Sequence, residues 1–261
     1  MLIGASIKDP DPIACALSIG ADSVQIMSDP QSWKAPRLDY AGGPEALRRA
    51  AAEAGIVLYV HAPYVINVAS TNNRIRIPSR KLLQQVVNLA GEIGAEGVIV
   101  HGGHVSEPSE LDAGFENWGK AVAGLETNCP IFIENTAGGK HAMARYLENI
   151  DRLWATLSGV EKGDQVGFCL DTCHAHAAGL ELSGLVEKVL AITSRIDLVH
   201  ANDSRDAFGS GADRHANLGH GQCDPDGLVE VVAKSGAPVL VETPGGLEKQ
   251  AEDIEWLRSR L

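Results

Sequence analysis

Residues 166–176 read VGFCLDTCHAH, a short apolar run that ends on an acid and is followed by two histidines. The run Val166–Asp171 is nearly continuous in hydrophobicity, which is typical of a strand buried on both faces of a parallel sheet. Similar runs, bounded by Gly, Pro or polar residues, recur along the chain at wide and fairly even spacing. They are Leu2–Ala5, Ser23–Met27, Val57–His61, Val98–His101, Ile131–Glu134, Ile196–His200 and Val239–Glu242.

Helical patterns lie between these runs. Pro44–Ala54, Ser79–Ile93 and Leu180–Ile192 carry apolar residues three and four positions apart, which is the period of an amphipathic helix. We expect Ser79 to cap the second of these helices through its hydroxyl. Eight strands that alternate with helices predict an α/β fold, a (β/α)8 TIM barrel. The length of 261 residues is near that of one such barrel, so we expect a single domain over residues 1–261.

The composition bears on location and partners. Charged residues make up 21% and hydrophobic residues 44% of the chain, which is ordinary for a globular domain. Because no apolar run is long enough for a membrane helix and the first residues lack a signal-peptide pattern, we expect a cytoplasmic protein without membrane contact. Five scattered cysteines fit a reducing compartment, with Cys169 and Cys173 buried and inert. The net charge of −12 argues mildly against DNA binding by bulk electrostatics, an objection that bound cations would weaken.

Six of the eight predicted strands end on a residue that can bind a metal ion. In a TIM barrel these strand ends converge on one face, where active sites lie. Zinc takes about four ligands from His, Asp and Glu, so a set larger than that indicates two or three ions with a shared carboxylate. The candidates are His61, His101, Glu134, Asp171, His200 and Glu242 at strand ends, with His174, Asp213 and His215 in adjacent loops.

Each of these residues is a weak signal alone, since a single histidine is more often a loop residue and a lone acid often caps the next helix. Their joint occurrence is the strong signal. Glu134, Asp171 and Glu242 would repel one another if buried together without a cation. Clustered cations suit phosphodiester hydrolysis, because two ions about 3.5–4 Å apart can neutralise both the attacking and the leaving oxygen. The remaining histidines, expected in loops or supporting roles, are His104, His141, His176 and His220.

Longer motifs around these residues resemble the endonuclease IV family of zinc-dependent apurinic/apyrimidinic endonucleases, whose fold is a xylose-isomerase-like TIM barrel. They occur in the family's order and the similarity covers essentially the whole chain. The matching segments are HAPYVIN at 61–67, VHGGH at 100–104, ENTAGG at 134–139, CLDTCHAHAAG at 169–179, HANDSRDAFGSGADRHANLG at 200–219 and ETP at 242–244.

The resemblance implies three zinc ions in three ligand groups. The first group is His61, His101 and Glu134; the second is Glu134, Asp171, His200 and Glu242; the third is His174, Asp213 and His215. In the family, an activated water attacks the phosphorus 5′ to an abasic site and leaves a 3′-hydroxyl. Glu134 and Glu242 would be the catalytic carboxylates, the first by bridging two ions and the second by orienting the water.

The resemblance also implies contacts with duplex DNA that contains abasic sites, through Tyr64 and at the position of Gln31, where some members carry an intercalating arginine. Arg205 is a further expected contact because its positive charge would attract the phosphates. The chain departs from the family at Ser6, in the loop that carries Gln31, and at 219–224. These departures touch no predicted metal ligand, and they lie in regions expected to meet DNA. They therefore bear on the affinity for DNA and on the preferred type of damage. We also expect the protein to act as a monomer.

Two other functions fit part of the pattern. A metal-dependent sugar isomerase or epimerase on the same barrel would share strand-end ligands, but it would leave Asp213 and His215 without an evident role. A protein that binds abasic DNA without cutting it fits the acidic charge and the altered loops, but it has little use for a full hydrolytic ligand set. Counting bound metals would separate the isomerase from the nuclease, and an incision assay would separate the nuclease from the binder.

Overall fold

The computed structural model describes residues 1–27, 33–126 and 128–261. Eight parallel strands close into a barrel in which each strand pairs with its neighbours and the last pairs with the first. Their bounds are β1 Ile3–Ile7, β2 Ser23–Met27, β3 Val57–His61, β4 Gly97–His101, β5 Ile131–Glu134, β6 Gly167–Asp171, β7 Leu198–His200 and, last, β10 Val239–Val241. Two short strands, β8 Asp203–Ser204 and β9 His215–Ala216, form an antiparallel pair after β7. The predicted TIM barrel is confirmed, and every barrel strand begins and ends within two residues of its predicted run.

The inside of the barrel is filled by side chains, and two glycines make room for one aromatic ring there. Phe132 of β5 lies between Gly97 of β4 and Gly167 of β6. A Cβ atom on Gly97 would lie 2.3 Å from the Phe132 ring, and one on Gly167 would lie 2.5 Å from it. The barrel is therefore a packed core and not a pore. The interior cluster consists of Tyr59, Ile99, Phe132, Cys169, Leu198 and Leu240.

Helices cover the outside of the barrel. A larger core lies between helices and strands, where residues such as Leu83 and Val86 pack with strand residues such as Val98. The apolar stripe of each helix thus faces the sheet, as its period predicted. The helices are α1 Pro12–Ser18, α2 Gly43–Ala54, α3 Asn73–Ile93, α4 Leu111–Ala123, α5 Leu147–Ser158, α6 Thr172–Ala178, α7 Leu185–Thr193, α8 Pro225–Ser235 and α9 Gly246–Arg258.

Helix α3 begins six residues before the predicted start, and the prediction that Ser79 caps it is wrong. Asn72 is the cap, since its side chain accepts the backbone N–H of Arg74. Ser79 is buried inside the helix, where its hydroxyl accepts the backbone N–H of Asn67 at 2.9 Å. Pro78 lies within α3. Because proline lacks an N–H and usually interrupts a helix, the sequence favoured a helix that starts after it. The Ser79 hydroxyl instead anchors the loop that follows β3.

The helix predicted over Leu180–Ile192 is also shorter at its start. A separate helix, α6, directly follows β6 and ends at Gly179, which has a φ of +84°. Helix α7 begins only after Gly184, which has a φ of +69°. Glycine adopts such left-handed backbone without steric cost, so the chain turns twice between the two helices. The apolar residues at 180 and 182 that extended the pattern belong to this turn.

The predicted burial of two cysteines is confirmed. Cys169 and Cys173 are buried and carry free thiols. Burial raises the pKa of the Cys169 thiol to about 12 and raises that of Cys173 as well, so burial favours the neutral thiol at both positions. Among the described residues, no helix has the length and apolar character needed to cross a membrane.

Candidate metal centre

Glu134, the last residue of β5, lies at the centre of the barrel mouth with its carboxylate fully buried. Its Oε2 atom lies 3.2 Å from Nε2 of His61 and 3.1 Å from Nε2 of His101. These two histidines end β3 and β4, which are the next strands along the barrel wall. The structure therefore brings together the first predicted ligand group.

The other oxygen of Glu134 faces a different set of residues. Oε1 lies 2.8 Å from Nδ1 of His200, and the same nitrogen lies 3.2 Å from Oε2 of Glu242 and 4.0 Å from Oδ2 of Asp171. These four residues form the second predicted group, with candidate ligand atoms within 4.8 Å of one another. Because each oxygen of Glu134 faces its own group, this carboxylate has the arrangement of a bridging ligand.

Asp171 has two roles at once. Its Oδ1 accepts the backbone N–H of His174 at 2.6 Å and caps α6. Its Oδ2 accepts a hydrogen bond from Asn202 at 2.7 Å and is the oxygen that faces His200. A lone acid at a strand end often caps the next helix, and here that role leaves the second oxygen free for the metal group.

The third group forms at the rim. Oδ1 of Asp213 lies 3.1 Å from Nε2 of His174 and 3.1 Å from Nε2 of His215. His174 is on α6 and His215 begins β9, so the loop after β7 folds back over the strand ends. The Asp213 side chain is 46% exposed, which places this group at the solvent side of the centre.

Four of the five candidate histidines have their outer ring nitrogen against an oxygen acceptor. In a neutral imidazole one nitrogen donates a hydrogen and the other carries a lone pair. An acceptor at the outer nitrogen therefore turns the lone pair inward, as in metal sites generally. The pairs are His61 Nδ1 with Ala62 O at 2.7 Å, His174 Nδ1 with Asn135 O at 2.9 Å, His200 Nε2 with Gln25 Oε1 at 2.8 Å and His215 Nδ1 with Glu242 O at 3.3 Å.

Two of the inward nitrogens are buried and have no hydrogen-bond partner. They are Nε2 of His174 and Nε2 of His215. Each lies close enough to Asp213 for an ion pair, but neither contact has hydrogen-bond geometry. Two ligand atoms of a tetrahedral zinc ion lie about 3.4 Å apart, given bonds of about 2.0–2.1 Å, and the contacts to Asp213 are near that separation. The donor set therefore fits a cation.

Opposite charges set the pKa values in the centre when no cation is bound. Burial opposes charge on Glu134, but His200 and His101 outweigh it and hold the pKa of this carboxyl well below its usual range. Burial also opposes protonation of His215, yet Asp213, Asp171 and Glu242 raise its pKa to about 9. The pKa of His174 is raised well above its usual value for the same reasons. A cation would therefore replace protons on the histidines.

A buried carboxylate holds the loop that contains His215. Oδ2 of Asp203 accepts the backbone N–H groups of Gly219 at 3.1 Å and Gly221 at 2.8 Å, and Oδ1 accepts that of Cys223 at 2.9 Å. A Cβ atom on Gly221 would lie 2.3 Å from Oδ1 of Asp203, so only glycine permits this approach. The base of the loop is thus fixed by protein groups alone.

The predicted DNA contacts lie at or near the rim. Tyr64 is 47% exposed, and its ring stacks on His101 with a centroid distance of 5.1 Å. The exposed Arg205 donates from Nε to the backbone oxygen of His215 at 2.9 Å, so it braces the third group. Gln31 lies outside the described residues. The contact of these residues with DNA stays a prediction.

Three further polar residues of the site are fully buried and were not predicted from the sequence: Gln25, Asn202 and Asp203. Asn202 donates to Asp171 and accepts the backbone N–H of Glu242 at 2.8 Å. Gln25 bonds to His200 and to Glu242, with Nε2 2.6 Å from Oε1 of the latter. A polar residue inside the buried run Ser23–Met27 was the one available signal for Gln25.

Comparisons with known proteins give the class of this fold. Residues 13–260 match a family model described as a xylose isomerase-like TIM barrel. A D-tagatose 3-epimerase-like protein of known structure has a TM-score of 0.79 at 20% identity and covers 100% of this chain and 97% of its own. At that identity the likeness is one of fold alone.

Closer relatives identify the family. A protein named "Probable endonuclease 4" from Mycobacterium ulcerans (strain Agy99) is 52% identical over 263 residues, covering 100% of this chain and 99% of the relative. Its namesake from Mycobacterium tuberculosis (strain ATCC 25177 / H37Ra) is 53% identical over 262 residues with the same coverage. The crystal structure of endonuclease IV from Thermus thermophilus has a TM-score of 0.83 at 27% identity, covering 100% of this chain and 98% of that one. The chain belongs to the endonuclease IV family.

Proposed function

We propose that this protein is a zinc-dependent DNA-repair endonuclease that cuts duplex DNA 5′ to abasic sites and leaves a 3′-hydroxyl. The observation that carries the proposal is the arrangement of nine ligand-type side chains in three groups around the barrel mouth, with the two oxygens of Glu134 turned to different groups. Membership of the endonuclease IV family supports the same reading. Duplex DNA is the proposed partner, and we propose a monomer acting in the cytoplasm.

Three zinc ions would be held by the three groups described above. When bound, such ions supply Lewis-acid chemistry, since they lower the pKa of water toward neutrality and neutralise charge that develops on phosphate oxygens. His61 and His101 would serve the first ion, and Glu134 would bridge it to the second. The third ion would be held by His174, Asp213 and His215.

Glu242 is the residue best placed to orient the attacking water. Its Oε1 is held by Gln25 and its backbone N–H by Asn202, so Oε2 points into the centre. A carboxylate fixed in this way can accept a hydrogen bond from water and hold it in line with the phosphorus. Preorganised groups of this kind lose little energy to reorientation during the reaction.

Two cavities flank Tyr64 and suit the nucleotides on either side of the cut. One, of about 390 Å³, is lined by Ser6, Glu242 and Pro244 among others. The second, of about 320 Å³, is lined by His101 and Asp213 among others. Because Tyr64 lines both, its ring is a ridge between them. A flipped abasic sugar on one side and its neighbour on the other would place the phosphate over the metal groups.

The test is an incision assay combined with metal analysis. Protein purified without added metal is analysed for zinc and incubated with a 5′-labelled duplex carrying one tetrahydrofuran abasic analogue. We expect about three zinc ions per chain, a single cut 5′ to the analogue, and a product that a DNA polymerase extends from its 3′-hydroxyl. An undamaged duplex of the same sequence is the control.

Other outcomes would point to the alternatives. Metal-loaded protein that binds the duplex without cutting it would be a damage-binding protein. One or two metal ions per chain, together with conversion of a ketohexose that is detected by chromatography, would indicate an epimerase. A cut at a natural abasic site that leaves a 3′-unsaturated aldehyde would indicate β-elimination in place of hydrolysis.

A further inference from the structure

Gln25 is a fully buried amide among the side chains inside the barrel mouth. It is the middle residue of β2 and lies beside Ser6 of β1 in the strand register. Its two hydrogen-bonding atoms touch two different members of the second ligand group. Nε2 lies 2.6 Å from Oε1 of Glu242, and Oε1 lies 2.8 Å from Nε2 of His200.

The chemistry of the partners fixes which way round the amide lies. An ionised carboxylate only accepts hydrogen bonds, so the amide nitrogen faces Glu242. The reverse orientation would put two oxygens 2.6 Å apart. The amide oxygen therefore faces His200, which must donate from Nε2. In the neutral ring that can bind an ion, the lone pair of His200 is then on Nδ1, the atom 2.8 Å from Oε1 of Glu134.

We infer that Gln25 is a positioning residue of the second ligand group, an inference that rests on the proposed function. It selects one tautomer of His200 and one orientation of the Glu242 carboxylate, so that Nδ1 and Oε2 both face the ion. His61, His174 and His215 are oriented by backbone carbonyls, which no side-chain substitution removes. His200 is oriented by a side chain, and its orientation can be tested by mutation.

Packing alone does not account for an amide at this place. Nearby interior positions hold apolar side chains such as Ile99 and Leu240, and a buried amide is costly unless it is hydrogen-bonded. Methionine has nearly the same length and would fill the same volume. The two side-chain bonds, to Glu242 and to His200, are not needed to close the barrel, since the backbone makes the strand pairing of β2.

Gln25→Met removes both bonds while keeping the volume. Gln25→Glu keeps an acceptor for His200 but removes the donor to Glu242. Asn117→Leu is the matched control, because Asn117 is also buried and donates from Nδ2 to the backbone oxygens of Ala69 at 3.1 Å and Ser70 at 3.2 Å. The control makes the same exchange of a buried amide without a bond to any predicted ligand.

Three measurements apply to each variant: zinc affinity by competition with a chelator, the His200 tautomer by ¹⁵N NMR of the imidazole, and kcat and KM for incision. For Gln25→Met we expect at least one zinc-binding step to weaken by about 10–100-fold, as for other residues that orient metal ligands. At a pH high enough to leave the ring neutral, the Nε2–H tautomer of His200 should no longer dominate in the zinc-free Gln25→Met protein. We expect kcat to fall while KM stays within about twofold, since Gln25 is buried away from the DNA surface.

Gln25→Glu separates the two bonds. His200 should keep its tautomer, and kcat should still fall because Glu242 has lost its donor. Wild-type zinc affinity, tautomer and kcat in Gln25→Met would overturn the inference, as would equal losses in Gln25→Met and Asn117→Leu. If wild-type protein neither binds zinc nor cuts DNA, the proposed function fails, and the tautomer measurement then tests the orientation of His200 by itself.

Discussion

Oδ1 of Asp213 lies 3.1 Å from Nε2 of His174 and joins a half-exposed loop residue to a buried helix. The two side chains come from different connections of the barrel, one after β6 and the other after β7. The third ligand group is thus built without a strand-end residue. It can be removed without touching the ends of the barrel strands.

The double variant Asp213→Ala, His215→Ala should lose about one of three zinc ions and keep its fold. Neither side chain belongs to the apolar core, so the barrel should unfold at close to the wild-type temperature when metal is absent from both proteins. Elemental analysis and circular dichroism give the two readouts. The control is Asp206→Ala, a substitution in the same loop. The Asp206 carboxylate pairs with Arg214 and belongs to none of the ligand groups. A double variant with an unchanged zinc content would exclude this group as a metal site.

Glu242→Gln should reduce the incision rate by about 10²-fold or more, because a charge that orients the attacking water is lost and electrostatic preorganisation is usually the largest catalytic contribution. The rate is measured under single-turnover conditions, with zinc content determined on the same sample. Glu248→Gln, an exposed glutamate of α9, is the control. A metal-loaded Glu242→Gln protein that cuts at the wild-type rate would contradict the role.

Zinc binding to the metal-free protein should release protons and strengthen with pH. The pKa of His215 is about 9 without a cation, and those of His174 and His200 are also raised. Near pH 7.5 each of these rings carries a proton that zinc must displace. Affinity should therefore rise with pH until His215 is neutral, above about pH 9. Calorimetry near pH 7.5 in buffers of different ionisation enthalpy measures the released protons, and a binding enthalpy independent of the buffer would argue against the prediction.

The raised pKa of His215 also predicts how the stability of the metal-free protein depends on pH. Zinc affinity should rise with pH, whereas the stability of the metal-free protein should fall. A histidine whose pKa is raised by folding stabilises the fold below its ordinary pKa of 6.5, and this contribution is lost as pH rises through about 9. The melting temperature of metal-free protein should therefore fall over this range. Zinc-loaded protein should not show the fall, because the rings are neutral when they hold the ion. Parallel melting curves of the two forms provide the check.

Tyr64→Ala should weaken binding to an abasic duplex by about tenfold, within the range of about 1–3 kcal/mol found for aromatic stacking on a base. The ring is half exposed and stands between two cavities, so its loss removes a contact surface. Because the ring also stacks on His101, zinc content is measured on the same samples. Tyr64→Phe keeps the ring and should bind like wild type. A titration with an uncleavable abasic analogue measures both, and equal affinity of the alanine variant would show that the ring does not reach DNA.

The sequence predicted the barrel, and it predicted which polar side chains meet at the barrel mouth, because both depend on local signals. Buried strands such as Val57–His61 are apolar along their length, and a polar residue at the end of such a run is conspicuous. In a parallel barrel those ends must meet, so convergence follows from topology. The grouping of the ligands came from the family resemblance, and the positions of Asp213 and His215 came from motif and not from periodicity.

What the sequence did not predict depends on contacts between distant residues. Glu134 belongs to two ligand groups because its two carboxylate oxygens point in different directions. Ser79 looked like a helix cap, and only the position of Asn67 shows that its hydroxyl serves the preceding loop. Gln25 and Asn202 are single amides whose partners lie on other strands, and no spacing along the chain indicates them.

The carboxylate of Asp203, with its three loop N–H groups, has a consequence for how the protein withstands the loss of its metal. Because the base of the loop is held by protein atoms, stripping the ions should not release residues 205–224 as a flexible substrate for proteases. We expect limited proteolysis with trypsin to spare Arg205 and Arg214 in chelator-treated protein. Asp203→Asn should expose both arginines to trypsin. If chelator-treated wild-type protein is cut as fast as chelator-treated Asp203→Asn, the metals and not Asp203 keep the loop closed. If the loop holds in this way, the protein would keep its fold through metal starvation and would take up its ions again without refolding.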